Sequence, residues 1–511
     1  MALLDQLADR VSAALWNLHP LRAVRLGKHE YDGQVPDLSA DALAVAYERL
    51  GRLREQLTAL TGLSSDQELD RSVLLAALDA EVLAGEAADG WRWNPLWYLE
   101  VLAVDAYLGR DYAPAGLRLE RAAAVLQSAS EVLAAARANL RPVIPRPAAE
   151  CGVGRTRALA ARLAAGPSLA AGTPDPAEEQ WLQAAAGAAA AELQAFADWL
   201  EAERLPAADE HPPLGGGANE QLLRSGELLD RPLDEVVALG TMALASDRTT
   251  LVAAGEEAER DGAAGPPGGP AAVVAGAVEE ARRFAAEAGL VTLPGGIPLV
   301  VAGRLPPGSE ERGVDAPGPY DDPACGAVLY AGGPKDGGER AVPDDLAVEA
   351  AYPGRLLQAL RAAAAPTEVA RRFSSRGFTD GWALYAGEVM AEAGYRGAGP
   401  AWRRAWQRRA LVADCHLVCV PALQRGEISL EHAEVLFMEQ GGCERVAARR
   451  EAERAFIDPG CLSAALGRLE ILGLRRSWQD RHPGAPLSVL HDALLSRGAP
   501  PLGLIGRVVL P

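Results

Sequence analysis

The side chains able to do chemistry lie mainly in the last third of the chain, in four groups. Glu349 precedes Arg355 by six residues, and Asp380 stands close before Trp382 and Tyr385. Asp414 opens the run Asp414-Cys415-His416-Leu417-Val418-Cys419, and His491 adjoins Asp492. Three carboxylates, a phenol and an imidazole are materials for general acid/base work. Glu349 could ligate a metal, but Ala350 beside it cannot act as a base and Arg355 would repel a cation. On a regular helix Glu349 and Arg355 do not share a face, and Pro353 distorts the turn between them. An ion pair and two solvated charges both fit. Trp382 and Tyr385, three apart, do share a face. They suit a core or a pocket wall, with Asp380 either a helix cap or a ligand-facing acid. Cys415 and Cys419 share a face, but Cys415 and His416 point about 100° apart. The pattern reads as small thiols in a helix core, with no second Cys/His cluster to complete a metal site. His491 is the best proton carrier, or else a structural hydrogen-bonder. His29, His211, His432 and His482 read as surface residues, and Cys151, Cys325, Cys443 and Cys461 as isolated thiols. No serine-hydrolase elbow occurs, and the glycine clusters 215–217 and 332–338 lack phosphate-loop spacing.

Longer segments carry a resemblance. Glu349-Ala350-Ala351-Tyr352-Pro353-Gly354-Arg355 has the frame of the zinc-hydrolase motif His-Glu-x-x-Pro-Gly-His, with only Pro and Gly kept. Leu26-Gly27-Lys28-His29-Glu30-Tyr31-Asp32, Leu214-Gly215-Gly216, Phe378-Thr379-Asp380-Gly381-Trp382-Ala383-Leu384-Tyr385, Asp458-Pro459-Gly460 and Leu490-His491-Asp492-Ala493-Leu494-Leu495 follow in order. Together they resemble the bacterial family known as domain of unknown function 885, a zinc-metallopeptidase-like group, over the whole chain. The resemblance places the motif histidines on Glu349 and Arg355 and its base on Ala350. The Glu-Gly-Trp-Ala-x-Tyr-x-Glu element falls on Asp380 to Gly387, so its second acid is lost. The Asp-x-Gly-x-His element keeps Asp414 and puts Val418 in place of His. His491 alone is a retained functional type. The resemblance implies a large, mainly α, metallopeptidase-like fold with a small β-sheet flanking a central groove. Tyr352, Arg355 and Trp382 become candidate ligand contacts, and an arginine could occupy the cation's place.

Composition sets the bounds. The chain has 511 residues, 49% of them hydrophobic but only 5% aromatic, an Ala- and Leu-rich bias that favours helices over a large sheet. Its net charge is −19, from 50 basic and 69 acidic residues. That argues against nucleic acid as a partner, because phosphate binding needs clustered Lys and Arg. The start Met1-Ala2-Leu3-Leu4-Asp5 lacks the basic and apolar run of a signal peptide, and the apolar window 182–200 is broken by Glu192 and Asp198. A cytoplasmic location without membrane contact is the expectation. Six cysteines without pattern suggest reduced thiols.

Periodicity predicts helices at 3–18, 40–62, 66–87, 115–140, 154–165, 178–203, 220–227, 233–259 and 271–289, then at 345–363, 366–373, 379–394, 400–423, 429–439, 444–456, 461–479 and 485–496. The Pro/Gly stretch 205–219 suggests a hinge, dividing an N-terminal helical half, 1–210, from a C-terminal half, 211–511. The loop from Asp261 to Pro270 is a surface excursion or a lid. Pro298-Leu299-Val300-Val301 and Ala327-Val328-Leu329-Tyr330 predict a small sheet within about 290–335, and degenerate metal-site helices fill 345–395. Trp91, Trp93, Trp97 and Tyr98 form a core cluster or a pocket wall.

Two functions fit. One is a metal-free, catalytically degenerate homologue of the zinc-peptidase-like family that binds a peptide-like or amino-acid-derived ligand without cofactor. The other is a repurposed metal-independent enzyme for hydrolysis, cyclisation or rearrangement of an amino-acid-derived molecule. Its acid/base groups would come from Glu349, Asp380, Asp414, His491 and Tyr385. A zinc peptidase using unrecognised ligands is a third and weaker reading.

Overall fold

The computed structural model describes residues 3–211, 214–258, 270–302, 313–331, 343–397 and 400–509. The loop 261–269 and the whole glycine cluster 332–338 lie outside the described residues. The chain is mainly helical, as its Ala- and Leu-rich composition requires. Helix starts are set locally: Ser39 caps Ala40–Thr58, while Ser64 with Gln67 and Asp175 with Glu178 form reciprocal capping boxes. Among the described residues no helix is long and apolar enough to cross a membrane.

Two hydrophobic cores organise the helices. One is built almost wholly from residues between Leu4 and Leu200, joined by Val369 and Leu504. The other gathers Trp93, Ile144 and Cys151 with residues from Leu223 to Ile505. The Gly215–Gly226 helix begins inside the stretch expected as a hinge.

The sheet has three strands: β1, Leu299–Ala302; β2, Gly313–Asp315; and β3, Ala327–Tyr330. Their order is β1-β3-β2, with β1 parallel and β2 antiparallel to β3. Pro298 stays just outside the ladder, where its missing N–H costs nothing, and its carbonyl accepts from Ala327 N at 2.8 Å. Strand β2 was not anticipated; Gly313-Val314-Asp315 is too short to show alternation.

Two departures from the predicted helices matter for the site. The segment 345–363 is not continuous. A short helix, Pro343–Leu346, opens into a widened turn at Ala347–Ala351, breaks at Tyr352-Pro353-Gly354, and restarts as Arg355–Ala363. The Gly354 amide donates back to Val348 O at 3.0 Å. A Cβ on Gly354 would stand 1.9 Å from Glu349 O, so only glycine fits the fold-back. The second departure is a glycine crossing. Arg376–Glu392 lies against Ser463–Arg481 so closely that a Cβ on Gly467 would meet Gly377 O at 1.9 Å, and one on Gly381 would meet Gly467 Cα at 2.6 Å.

Candidate functional site

Three elements converge on the fold-back. The Arg376–Glu392 helix is fixed at its start by Ser375, whose Oγ accepts from Phe378 N at 3.1 Å. The Ser375 hydroxyl donates in turn to buried Glu227, which also accepts from Gly377 N at 2.8 Å. Ser375 is therefore the cap, and Asp380 lies one turn inside the helix. Trp382, on the same helix, donates its indole N–H to Pro353 O at 2.9 Å and clamps the fold-back. The Pro400–Gln424 helix brings Arg409 from the other side.

The result is a chain of alternating charges. Arg409 bridges Asp345, at 3.1 Å, and Glu349. Arg355 lies between Glu349, at 3.8 Å, and Asp380, to which it donates directly. Arg376 links Asp380, at 3.3 Å, to Asp458, at 2.7 Å. The break after Glu349 is what lets two residues six apart meet. Burial alone would raise the Asp380 carboxyl, but the Arg355 and Arg376 guanidiniums outweigh it and hold Asp380 below the usual carboxylate range. Arg376 and Arg409 lose solvation on burial, yet their acid partners raise both above the ordinary guanidinium value. Four carboxylates share three guanidiniums, so the chain keeps one net negative charge while each carboxylate still has a guanidinium within 4 Å.

Tyr385 and His491 form a second, drier cluster. His491 Nδ1 lies 2.7 Å from Leu290 O, and Nε2 lies 2.8 Å from Tyr385 Oη. A carbonyl can only accept, so Nδ1 carries the proton and Nε2 accepts from the phenol. Burial lowers the His491 pKa to about 4 and raises that of Tyr385 well above its usual value. Both rings line a void of about 10 Å³ with Trp382 and Pro353, room for a single water. Tyr352 is buried beside the fold-back, with the Arg282 guanidinium 5.9 Å from its ring centroid.

Asp414 belongs to a third network. It is fully buried and faces Arg468 at 3.2 Å, which also holds Asp247 at 2.8 Å and Glu388 at 3.5 Å. Desolvation raises the Asp414 carboxyl strongly, against Arg468 and with the help of Asp247. Thus Glu349, Arg355 and Asp380 come together, as do Trp382, Tyr385 and His491, while Asp414 belongs to the separate network around Arg468. His29, expected at the surface, is half-buried between Asp32 and Asp321 and stacks on Tyr112 at 4.0 Å. Its aspartates outweigh desolvation and raise it to about 9. Among the described residues, no three His, Cys, Asp or Glu side chains are grouped to hold a metal ion.

A cavity of about 800 Å³ opens where the two cores meet. The N-terminal residues contribute Arg22, Glu81, Trp93, Trp97 and Glu100, and the C-terminal ones Arg376, Arg454 and the Asp458-Pro459-Gly460 wall. Trp93 and Trp97 therefore serve the pocket, whereas Trp91 and Tyr98 are locked together in the core by the Tyr98 hydroxyl on Trp91 O at 2.6 Å. Arg376 and Asp458 join this cavity to the charge chain. Arg376, Arg409 and Asp345 carry no motif in the sequence, and Asp458 enters it only as part of the Asp458-Pro459-Gly460 segment. For the three arginine-network residues without a motif, the i, i+4 spacing of Arg376 and Asp380 is the one local signal.

These features define a mainly α protein with a small mixed sheet and a charged centre at a helix fold-back. A family model described as bacterial protein of unknown function (DUF885) matches residues 20–290 and 335–509, and the chain belongs to that family. It is similar in fold to a structure described as a "putative lipoprotein of unknown function" from Shewanella oneidensis, with 19% identity, TM-score 0.74 and 100% of both chains covered. A "putative lipoprotein" from Colwellia psychrerythraea aligns at 16% identity and TM-score 0.77, over 99% of this chain and 98% of the other. No curated protein matches.

Proposed function

We propose that this protein is a metal-free member of a zinc-peptidase-like family, degenerate in its metal chemistry, that binds a peptide-like or amino-acid-derived ligand in the 800 Å³ cavity. The observation that carries this reading is the charge chain. At the positions corresponding to the motif histidines stand Glu349 and Arg355, already paired with each other and with Arg409 and Asp380. Zinc takes neutral imidazole, thiolate or carboxylate donors, and three guanidiniums threaded among the carboxylates would repel it. The residues present do not fit the metal. A second observation supports the same reading. Where the resemblance puts a second acid, Gly387 faces Trp406, and any Cβ there would lie 2.0 Å from the indole. In this reading the metallopeptidase-like fold persists and its groove is the cavity.

The cavity walls favour an amino-acid-derived ligand. Trp93 and Trp97 supply apolar surface, while arginines and carboxylates supply both signs of charge, as a zwitterion needs. The test is calorimetric titration of the full chain with free amino acids and dipeptides, repeated with Trp97→Ala. Binding that weakens at least about tenfold in the variant is expected, a loss of about 1.4 kcal/mol. Absence of binding across the panel, or binding indifferent to Trp97, would refute it.

A further inference from the structure

Cys461, His416 and Glu451 make a constellation that none of the preceding assignments uses. Cys461 Sγ lies 3.2 Å from His416 Nδ1, and His416 Nε2 lies 3.0 Å from Glu451 Oε2. Three different elements bring them together: the Pro400–Gln424 helix, the Arg445–Ile457 helix, and the turn Pro459–Leu462. Burial would raise Glu451, but His416 overrides it and keeps this carboxyl below its ordinary value. An ionised carboxylate can only accept, so His416 carries its proton on Nε2. Its Nδ1 lone pair is therefore aimed at the thiol. Phe437 packs edge-on against the imidazole at 4.9 Å and fixes the ring plane. Nucleophile, base and orienting acid stand in the order that thiol catalysis uses.

The location supports a chemical role. Asp458, Pro459 and Gly460, the three residues before Cys461, form part of the wall of the 800 Å³ cavity, with Arg376 and Arg454 beside them. A Cβ on Gly460 would lie 3.3 Å from Arg376 Nη1, so the backbone leading to Cys461 passes directly under that guanidinium. Burial pushes the Cys461 thiol well above its usual range; Asp458 adds to this, and Arg454 and Arg376 oppose it. The resting sulfur is thus a protonated thiol. Its proton must leave as a new bond forms, which calls for a general base and not a preformed ion pair.

We propose that Cys461 and His416, buried just behind the Asp458-Pro459-Gly460 wall of the cavity, form with Glu451 a metal-independent acyl-transfer centre acting on a small ester or amide admitted from it. Sγ bonds to the acyl carbon as the thiol proton passes to His416 Nδ1. The carbon–oxygen or carbon–nitrogen bond then breaks, and the alcohol or amine leaves with that proton. Water, deprotonated by the same nitrogen, attacks the thioester, releasing the carboxylic acid and restoring the thiol. Arg376 and Arg454 supply positive charge on the side where the tetrahedral oxyanion forms. Glu451 acts as a positioning residue, holding the imidazole tautomer. The inference stands on the thiol geometry and not on the amino-acid binding proposed above.

The test uses the full chain and p-nitrophenyl acetate as probe. A burst of nitrophenol stoichiometric with protein is expected, with the acetyl group found on Cys461 by peptide mass spectrometry. Cys461→Ala should abolish the burst. Glu451→Gln should slow acylation about a hundredfold, and Glu451→Asp should recover part of the rate. Iodoacetamide gives a second readout that needs no turnover. Cys461, 4% exposed, should alkylate at least about tenfold faster than Cys415 and Cys419, which are fully buried and have no such imidazole contact among the described residues. Acetylation elsewhere or nowhere, or Cys461 no faster than those two thiols, would overturn the proposal. So would a Glu451→Gln variant that keeps its native circular dichroism and its acylation rate. Loss of amino-acid binding in calorimetry with the burst intact would strike the ligand reading alone.

Discussion

Replacing Arg355 by alanine isolates the central link of the charge chain. Arg355 is about a third exposed, while the Glu349 and Asp380 side chains are 14% and 16% exposed. Breaking a fully buried pair costs about 3–5 kcal/mol, and an exposed pair is worth about 0–1 kcal/mol. Each acid also keeps one guanidinium, Arg409 for Glu349 and Arg376 for Asp380. The expected destabilisation is therefore intermediate, about 1–2 kcal/mol at pH 7. Its pH dependence has a fixed sign. Asp380 is held below its unfolded value in the native state, so its stabilisation is present above about pH 4 and is lost as pH falls through the lower, folded value. The gap between wild type and Arg355→Ala, measured by urea unfolding with tryptophan fluorescence, should hold down to about pH 4 and narrow below it. A variant as stable as wild type at pH 7, or a gap that widens in acid, would show that Arg355 does not hold these carboxylates.

Three further outcomes follow from single contacts. Gly354→Ala puts a methyl 1.9 Å from Glu349 O, where backbone must move, so urea unfolding should show a loss of at least about 3 kcal/mol; a loss under 1 kcal/mol contradicts the fold-back geometry. Gly381→Ala at the helix crossing should cost about 2 kcal/mol by the same measurement, and a neutral result would mean the two helices are not in backbone contact there. His491 has a folded pKa of about 4 against 6.5, so its stabilisation is complete above 6.5 and is lost as pH falls toward 4, up to about 3 kcal/mol. His491→Gln should flatten that stretch of the stability–pH curve, and an unchanged slope would mean the imidazole is not buried neutral.

Much of the fold was legible because the helices are amphipathic and start at residues with strong local preferences, such as Ser39, Ser64 and Asp175. Strands β1 and β3 were visible as apolar runs between turn residues. What the sequence hid is what tertiary contact creates. Glu349 and Arg355 look remote on an ideal helix and meet only because Gly354 permits a fold-back. Asp380 looks like a cap, but Ser375 takes that place. Arg409 is 60 positions from Glu349 and has no local pattern to betray it. Cys461 and His416 are 45 positions apart, so Cys461 read as an isolated thiol and His416 as part of a helix core. Cys415 and His416 do point apart on their helix, and the thiol that reaches the imidazole comes from a distant turn.

Zinc-edge anomalous diffraction from crystals soaked in zinc, with the Glu349–Arg355–Asp380 region in view, tests the central claim most directly. The Arg355 guanidinium is expected between the two carboxylates, with no anomalous peak beside them. An ordered zinc ion bound by Glu349 or Asp380, with Arg355 turned aside, would contradict it.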